Sequence, residues 1–573
     1  MTHPYRHLLM VYPAFPKTYW GMEYSLPLVG RKAAMVPLGL ITIAGLTPPG
    51  YEIRLVDLNC EPLTDRDLKW ADMVCFSAML PQKRSLLKVA RRCQEAGKLV
   101  VFGGPYPTSC PEECGPYCDV MVLNEGEITW PLFLEDLARG TYQRVYTTQE
   151  KPDVAQSPVP RFDLLNIHDY INIPIQFSRG CPFQCEFCDI IVLFGRTPRT
   201  KTPGQVLAEL EAVYNTGYRG GIFIVDDNFI GNKREVKKLL PEIKAWNETY
   251  GHPFHYGTQA SVDLANDKEL LQQMVESDFL WVFMGIESPS PESLKETRKY
   301  QNVKKGSLVD SVKEVQSVGL VVYGGFIVGF DNDTEDIFDR QIELITQAAI
   351  PSASLSVLCA LPGTPLMERM KRAGRLLDLS DPDSSHDINW VGYDTNIVTV
   401  LPRRKLLEGY CKILETIYTP REYFQRTLEA FCRLPRRGSL SSRIQKVFWL
   451  SGLALKKLII RDKQKQTSGP STPTRWKSVY ETFRRIPADY KWESLKFIWA
   501  IMRKRPDQLF FGLVYVFMGI HFYRFTFADL IPDIDRRLER LPQESTEQGE
   551  RLAAEPVFLG LSVEPVADTT QAA

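Results

Sequence analysis

The stretch QFSRGCPFQCEFCDI, residues 176–190, decides how the whole chain is interpreted. It places three cysteines, Cys181, Cys185 and Cys188, at the spacing C-x3-C-x2-C. Three thiolates can hold three irons of a cubane [4Fe–4S] cluster and leave the fourth iron open to a substrate or cofactor. A structural zinc site is the alternative, but the nearest fourth ligands, His168 and Asp189, are poorly spaced for it. We therefore predict an open-iron cluster on these three cysteines.

The cysteine motif comes directly after the first of six apolar runs that have the pattern of strands. Helical patterns, for example residues 202–216 and 334–349, separate these runs. Repeated strand–helix units predict a parallel (β/α)6 partial barrel, with function at the carboxyl ends of its strands. The predicted strands are 172–179, 220–227, 254–262, 279–288, 321–330 and 352–361.

The residues before the barrel show a second strand–helix alternation. Continuous apolar runs separated by helices, including a helix over 37–48, predict a parallel, doubly wound Rossmann-like sheet. Ligands of such sheets lie beyond the carboxyl ends of the strands. The predicted strands are 7–13, 52–59, 71–79, 98–108 and 120–127.

A chain of 573 residues is too long for one hydrophobic core, and we divide it into five parts. After about residue 386 the sheet pattern stops and amphipathic helices follow. The predicted parts are a Rossmann-like domain (1–140), a linker (141–170), the partial barrel (171–385), a helical C-terminal domain (386–540) and a disordered tail (541–573).

Composition and charge exclude several classes of function. Lys plus Arg equal Asp plus Glu at 69 each, so no global field favours nucleic acid, and we expect no nucleic-acid partner. The first residues lack the features of a secretory signal, which favours a cytoplasmic location. The 12 cysteines are then expected to be reduced, and a tight cluster among them is more typical of metal binding than of disulfides.

The cysteine motif, with Phe187 before its last cysteine, resembles the signature of the radical SAM superfamily. The resemblance implies that the open iron binds S-adenosylmethionine, whose reductive cleavage gives a 5′-deoxyadenosyl radical. Supporting motifs follow in the order of that family: VDDNFIGN (225–232), TQASVDLA (258–265), MGIES (284–288) and GGFIVGFD (324–331). The contacts implied for S-adenosylmethionine are Phe187, Asp226, Asp227, Asn228, Gln259, Ser261, Glu287, Gly325, Ile327 and Gly329. Asn332 stands where the longer family motif usually has Glu, so the last stretch implies only a backbone role.

A doubly wound domain directly before such a barrel resembles the cobalamin-binding, class B arrangement of this superfamily. The opening FPKTYWGMEY and the stretch VDDNFIGNK are most similar to the hopanoid C-2 methylase group. The resemblance implies that the carboxyl ends of the first sheet bind cobalamin, through Ser77, Gly103, Gly104, Glu125 and Gly126. No histidine occurs between His7 and His168, so the domain lacks the histidine of the D-x-H-x-x-G motif that ligates cobalt in many cobalamin proteins.

The resemblance implies a cobalamin-dependent methylase acting on a lipid or another small molecule, with an external electron donor such as flavodoxin or ferredoxin. Two alternatives stay open. One is a non-methylating radical SAM enzyme that cyclises, oxidises or rearranges a lipid or tetrapyrrole. The other is a non-catalytic iron–sulfur carrier or sensor, which would gain nothing from an exposed iron.

Basic and aromatic residues interleave over 435–530, and two interpretations apply to them. The helices lie on the inner membrane face as a peripheral contact, or they form a cap over the barrel mouth. The apolar run 509–523 is shorter than the roughly 20 residues of a spanning helix. Elsewhere, Cys110, Cys114 and Cys118 have the spacing C-x3-C-x3-C without a fourth ligand. We expect incidental thiols, and an auxiliary cluster is the alternative. A solvated helix face is expected for Lys295, Lys299, Lys304 and Lys305.

Overall fold

The computed structural model describes residues 5–303, 306–377, 392–393, 395–436, 484 and 486–541. These residues form two parallel sheets and a group of C-terminal helices. The predicted fold class is confirmed: a doubly wound N-terminal domain, a partial barrel and a helical C-terminal region. The basic segment 443–465 and all of the predicted tail except Leu541 lie outside the described residues.

Fifteen strands occur in the described part of the chain, and two of them, β9 and β10, form a small antiparallel pair. The strands are β1 His7–Tyr12, β2 Ala33–Met35, β3 Glu52–Asp57, β4 Met73–Ser77, β5 Leu99–Gly103, β6 Val120–Val122, β7 Val145–Tyr146, β8 Tyr170–Ile175, β9 Ser178–Arg179, β10 Arg199–Thr200, β11 Gly220–Ile224, β12 Phe254–Gln259, β13 Phe279–Glu287, β14 Val321–Val328 and β15 Ala353–Val357.

The first sheet has the order β3-β1-β4-β5-β6-β7, and its strands are parallel. Leu8, Leu9, Met10 and Val11 are all fully buried, because separate apolar cores cover the two faces of the sheet. The direction of strand order reverses between β1 and β4. In doubly wound sheets that switch point is where a ligand binds.

The second sheet is the partial barrel, with the order β15-β14-β13-β12-β11-β8-β2. Its six main strands are those predicted from the sequence, and all neighbours pair in parallel. The seventh strand, β2, comes from the N-terminal region: Ala33 pairs with Tyr170, and Met35 pairs with Asn172. Three residues are too few to show a period, so this strand could not be predicted from the sequence. The domain limits stay a prediction.

Helices connect the strands and cover both sheets. Several begin at a side-chain cap; Thr202, for example, forms a reciprocal capping box with Gln205. The helices are α1 Leu26–Val29, α2 Leu38–Leu46, α3 Asp65–Trp70, α4 Lys83–Glu95, α5 Pro105–Ser109, α6 Pro111–Cys114, α7 Gly126–Arg139, α8 Ile190–Leu193, α9 Pro203–Asn215, α10 Lys233–Thr249, α11 Lys268–Glu276, α12 Pro291–Glu296, α13 Leu308–Val318, α14 Ile337–Gln347, α15 Pro365–Arg372, α16 Arg403–Ile417, α17 Pro420–Arg433, α18 Ala488–Lys504, α19 Leu509–Arg524 and α20 Ile531–Arg540.

The last two helices form one long rod, and the segment before β2 packs on it. A π-helical turn, Phe525–Leu530, joins α19 to α20. The N-terminal segment packs on this turn, where the hydroxyls of Tyr19 and Thr526 lie 2.7 Å apart and Tyr24 donates to Asp529 at 2.6 Å. By length and composition alone, the rod Pro506–Arg540 could cross a membrane, and it is the single helix among the described residues that meets this criterion. Core helices pass the same test, and 44% of its apolar window is buried in the protein.

Candidate active site

The three cysteines of the motif lie in one loop at the carboxyl end of β8. Strands β9 and β10 pair and close the base of this loop, residues 180–198. Gly180 begins the loop with φ +94°. A side chain there would lie 3.0 Å from the carbonyl oxygens of Gly195 and Thr197, so the turn requires glycine. The loop is therefore tightly closed around the thiols, and we call residues 180–198 the cysteine loop.

The thiols of the cysteine loop suit a cubane better than a single ion. Burial raises the pKa of Cys181 and of Cys188, and a bound metal reverses this because it binds the thiolate and displaces the proton. Across the described ranges, no group of three or more His, Cys, Asp or Glu could hold one metal ion. Structural zinc needs four close ligands, whereas a cubane takes its three thiolates on three separate irons. The donor set therefore fits a [4Fe–4S] cluster.

Arg369 of α15 anchors the cysteine loop to the barrel. Its guanidinium lies 3.1 Å from Glu186, 3.0 Å from Glu296 and 2.8 Å from Asp331. The backbone adds a further link, because Leu366 N–H donates to the Glu186 carbonyl at 3.0 Å. The loop position is thus fixed by segments that follow three different strands.

Two polar side chains approach the thiols from the segment after α12. Gln301 Nε2 donates to Cys185 Sγ at 3.4 Å. Lys299 is buried, pairs with Glu287 and lies with its Nζ 5.6 Å from the centre of the Phe187 ring. Burial lowers the pKa of Lys299, but Glu287 and Cys185 raise it further, so the net shift is upward and the ammonium stays charged. A cation and an N–H donor beside cluster sulfurs favour the reduced, more negative cluster.

The predicted solvated lysine face is wrong at Lys299 and confirmed at Lys295. Lys299 is only 8% exposed, whereas Lys295 is exposed. Lys304 and Lys305 lie outside the described residues. The run of charges has no apolar period, so the sequence does not indicate that Lys299 is buried. Lys299 is buried because it pairs with Glu287 on a different element. Gln301 was missed for the same reason.

Asp226 and Asp227 fix the junction between β8 and the cysteine loop. Asp226 accepts from the backbone N–H groups of Phe177 and Ser178, each at 2.8 Å. Asp227 accepts from Gly180 N–H at 3.0 Å. Burial raises the pKa of Asp226 to about 6 and that of Asp227 to about 7. Both hold the loop in place, and a contact with S-adenosylmethionine stays a prediction.

Asn228, Gln259 and Ser261 gather beside the first cysteine. Asn228 Nδ2 lies 3.1 Å from Ser261 Oγ and 4.0 Å from Cys181 Sγ. Gln259 is the last residue of β12, and its side chain is half-buried. The structure thus brings these predicted residues to the same edge of the barrel as the thiols.

The predicted residues of β14 and its end include one, Ile327, that shares an apolar cluster with the cysteine loop. Ile327 packs in the same apolar cluster as Phe187, and Gly325 belongs to the same strand. Gly329 follows with φ +97°, and its N–H donates to Asp333 at 2.8 Å. Asp333 was missed, although it is the residue after Asn332; burial raises its pKa to about 6.

The two domains meet at a buried ion cluster beside the cysteine loop. Glu125 lies 2.9 Å from Arg179 and 2.8 Å from Arg199, and Glu127 lies 2.7 Å from Arg179. Burial raises the pKa of Glu127, but Arg179 more than reverses this and brings it to about 2. Glu125, predicted as a cobalamin contact, joins the domains in this structure, and the cobalamin contact stays a prediction.

The other predicted cobalamin residues mark strand ends of the first sheet. Ser77 ends β4 and pairs with Gly103 at the end of β5. Gly104 has φ +90°, and a side chain there would come within 2.5 Å of Ser77 Oγ. Gly126 packs on Ile43, which a side chain would approach to 2.3 Å. The close packing explains the glycines, and cobalamin contact is not needed for it.

A cavity of about 1200 Å³ opens above the switch point of the first sheet. Its walls come from the loops after β1, β4 and β5, from the barrel end and from the last helices. Its size and its place beyond the carboxyl ends of the strands suit a large cofactor. Among its walls are Phe15, Leu80, Cys110, Pro362, Met367, Tyr393, Phe525, Asp529, Leu530 and Arg536. Met367 packs against the same apolar cluster as Phe187, so the cavity and the cysteine loop share that cluster.

The second cysteine group lies by this cavity. Cys110 borders it, and Cys114 and Cys118 are buried beneath. Burial raises the pKa of Cys110 to about 11 and that of the other two to about 12, so all three thiols stay protonated when no metal is bound.

Family comparisons agree with the two sheets. Residues 28–134 match the B12 binding domain, and residues 175–345 match the radical SAM superfamily. Residues 364–529 match a domain of unknown function, DUF4070. Among solved structures, the cobalamin-dependent radical SAM enzyme OxsB covers 96% of this chain and 83% of its own with TM-score 0.56 and 15% identity. The methyltransferase TsrM of Kitasatospora setae has TM-score 0.52 at 14% identity, over 64% of this chain and 75% of its own. These structures share the fold.

Sequence relatives identify the family. An uncharacterized methyltransferase of Synechocystis is 46% identical over 430 residues, which is 74% of this chain and 78% of the relative. The hopanoid C-2 methylase of Rhodopseudomonas palustris is 34% identical over 426 residues, with the same coverages. The chain therefore belongs to the cobalamin-binding radical SAM family, and it is a methyltransferase that uses a [4Fe–4S] cluster, S-adenosylmethionine and cobalamin.

Proposed function

We propose that this methyltransferase acts on an unactivated carbon of a polycyclic lipid of the hopanoid class. The observation that carries the proposal is the 34% identity to hopanoid C-2 methylase over 426 residues, 74% of this chain. A hopanoid C-3 methylase of Methylococcus capsulatus is also similar, at 30% identity over 57% of this chain and 67% of the relative. The methyltransferase relatives favour this function over the non-methylating enzyme and the electron carrier.

In this proposal Cys181, Cys185 and Cys188 hold the cluster, and the polar groups around Asn228 orient S-adenosylmethionine. When bound, the cofactors supply the 5′-deoxyadenosyl radical and the methyl group. Removal of a substrate hydrogen atom by a radical needs no protein base. The side chains therefore bind, orient and exclude water.

The remaining predicted contacts belong to the same proposal. For S-adenosylmethionine they are Phe187, Asp226, Asp227, Gln259, Ser261, Glu287, Gly325, Ile327 and Gly329, and for cobalamin Ser77, Gly103, Gly104, Glu125 and Gly126. Glu287 must then share its carboxylate between Lys299 and the ligand, which makes it the most constrained member.

A radical SAM enzyme needs a small-molecule substrate and a reductant. We propose flavodoxin or ferredoxin as the electron donor, because each is a one-electron carrier of suitably low potential. We also propose a cytoplasmic location. A lipid substrate supports peripheral contact with the inner membrane face.

The experiment is anaerobic reconstitution of the full chain with iron, sulfide and cobalamin. The holoenzyme is given S-adenosylmethionine labelled in the methyl group, a reductant and a hopanoid in detergent. We expect a labelled lipid, together with S-adenosylhomocysteine and 5′-deoxyadenosine in equal amounts.

Each other outcome contradicts a named part of the proposal. Formation of 5′-deoxyadenosine without label in any lipid contradicts lipid methylation. Label in a supplied tetrapyrrole but not in the hopanoid moves the substrate to that class, towards the bacteriochlorophyllide d C-12(1)-methyltransferase of Chlorobaculum tepidum. That relative is 25% identical over 68% of this chain and 84% of its own.

A further inference from the structure

Helix α18 exposes an apolar stripe on the surface of the C-terminal region. Trp492, Leu495, Trp499 and Met502 are 50 to 62% exposed. Their spacing of three and four residues puts them on one helix face. The opposite face is conventional core, since Tyr490, Phe497 and Ile501 are buried. Water is a poor environment for two exposed tryptophans side by side on one helix.

Helix α19 exposes a second stripe. Phe510, Leu513, Val514 and Phe517 follow the same helical spacing and are 37 to 44% exposed. The two helices touch closely, because a side chain at Gly512 would lie 2.5 Å from Ile501. We call these eight side chains of α18 and α19 the exposed apolar face.

The remaining sides of α19 are committed to the protein. The hydroxyls of Tyr515 and Tyr323 lie 3.0 Å apart in the core, and Tyr490 donates to the Val516 carbonyl at 2.6 Å. A helix that crossed a bilayer would present its whole circumference to lipid or to other spanning helices. This helix offers one side, which suits contact with a surface.

The charges beside the stripe identify its partner. Lys496 Nζ lies 5.4 Å from the centre of the Trp492 ring, and the Arg503 guanidinium lies 5.5 Å from that of Trp499. Helix α18 carries four basic residues, the others being Lys491 and Lys504, against two acidic ones, Asp489 and Glu493. Tryptophan beside Lys and Arg is typical of helices that lie at the headgroup level of anionic membranes. A second copy of this face would bring like charges together.

We propose that the exposed apolar face docks the enzyme on an anionic phospholipid bilayer. This assigns a role to part of the domain of unknown function, residues 364–529. The same continuous helix then leads to the cavity, where Phe525 and Leu530 form part of the wall. Phe517 and Phe525 are eight residues apart, about 12 Å along a helix. A lipid leaving the bilayer at the face is therefore close to the cavity. This delivery rests on the proposed lipid substrate, whereas docking does not.

The test is flotation of the reconstituted full chain with phosphatidylglycerol or phosphatidylcholine vesicles, over a range of salt concentrations. We expect binding to phosphatidylglycerol that weakens with salt. The double variant Trp492→Ala/Trp499→Ala should bind at least about tenfold more weakly, and Lys496→Glu/Arg503→Glu should lose the preference for anionic lipid. Leu132→Ala is the matched control, since Leu132 is equally exposed on α7, and should bind like the wild type.

Three outcomes would overturn the proposal. They are no binding of the wild type to anionic vesicles, equal binding of the double-tryptophan variant, and concentration-dependent dimers that this variant converts to monomers without any vesicle binding. Cleavage of S-adenosylmethionine to 5′-deoxyadenosine in detergent separates docking from chemistry. The double-tryptophan variant should keep this activity, so a loss of vesicle binding with normal cleavage supports docking whether or not the natural substrate is a hopanoid.

Discussion

The cysteine loop and the exposed apolar face differ in how their side chains are held. Around the loop, buried charges meet in pairs, and Arg369 alone contacts three carboxylates. On the face, eight apolar side chains have water as their neighbour. A cluster that must be reduced at a defined potential needs side chains in fixed positions. A surface that contacts a fluid bilayer needs only enough apolar area with basic residues beside it. The predictions below test this contrast, from the largest effect to the smallest.

The largest effect is expected at the cysteine loop itself. Cys185→Ala removes one of the three proposed cluster ligands, and formation of 5′-deoxyadenosine should fall by more than about 100-fold, beyond the loss typical of residues that only support ligands. Iron content and product are measured on anaerobically reconstituted protein. The control is Cys432→Ala, because Cys432 is exposed on α17 and should not matter. Undiminished product from Cys185→Ala would remove the cluster assignment.

The ion cluster between the domains should come next. Arg179→Met leaves the buried Glu127 without its arginine and Glu125 with Arg199 alone, and the free energy of unfolding should fall by about 3 kcal/mol. Urea denaturation of the full chain measures it. The control is Arg161→Met, whose partner Asp163 is exposed, so that loss should stay below about 1 kcal/mol. Equal losses in both variants would contradict the role given to burial.

The ion pair of Glu127 with Arg179 predicts a pH dependence of the free energy of unfolding. The pKa of Glu127 is about 2 in the folded chain against an ordinary 4.5, so its pairing stabilises the fold fully above about pH 5. That contribution is lost as the pH falls through about 2, because the proton then binds the folded state too. The difference in stability between the wild type and Arg179→Met should therefore shrink from about pH 4.5 downward. A difference that grows on acidification would contradict this.

A smaller effect is expected from Gln301. Gln301→Leu removes the N–H donor to Cys185 Sγ, and a hydrogen bond of about 1 kcal/mol that favours the reduced cluster corresponds to roughly 40 mV. The reduction potential, followed by the spin signal of the reduced cluster, should become more negative by that amount. Gln347→Leu is the control, since the Gln347 side chain donates to Glu343 at the surface of α14 rather than to a cysteine. An unchanged potential would show that this contact does not tune the cluster.

The smallest effect contrasts two faces of one helix. Trp492→Ala should change the free energy of unfolding by less than about 0.5 kcal/mol, because the side chain is 60% exposed. Phe497→Ala, on the buried face of α18, should cost about 3 kcal/mol. Thermal or urea denaturation of the two variants measures both changes in the free energy of unfolding. A large loss at Trp492 would mean that something in the chain covers the stripe.

Much of the fold was predictable because burial on both faces makes a strand continuously apolar. The strand before the cysteine loop and the five after it were found in this way, and glycine at position 180 agrees with the closed turn. The cysteine spacing indicated the chemistry because three donors on one short loop depend only on local sequence.

Features that depend on distant partners were not predictable. Lys299 has the sequence context of a surface helix. It is buried because its ammonium pairs with Glu287 and lies near Phe187 of the cysteine loop. The ion pairs of Glu125 with Arg179 and Arg199 could not be predicted either, and its contact with cobalamin stays a prediction. The turn Phe525–Leu530 contributes to the cavity wall opposite the loop after β1, although some 500 residues of sequence separate the two. Such contacts leave no period or motif in the chain.

The pairing of Ala33–Met35 with the barrel has a consequence for the biogenesis and inheritance of this enzyme. A ribosome makes these residues early, but their hydrogen-bonding partner on β8 follows roughly ten seconds later at about 5–20 residues per second. Until then an unpaired strand edge is exposed to neighbouring chains. Removing the N-terminal 140 residues would likewise strip the barrel of its outermost strand. Gene fusion or fission at residue 140 should therefore be rare in evolution, and the two cofactor modules should travel together.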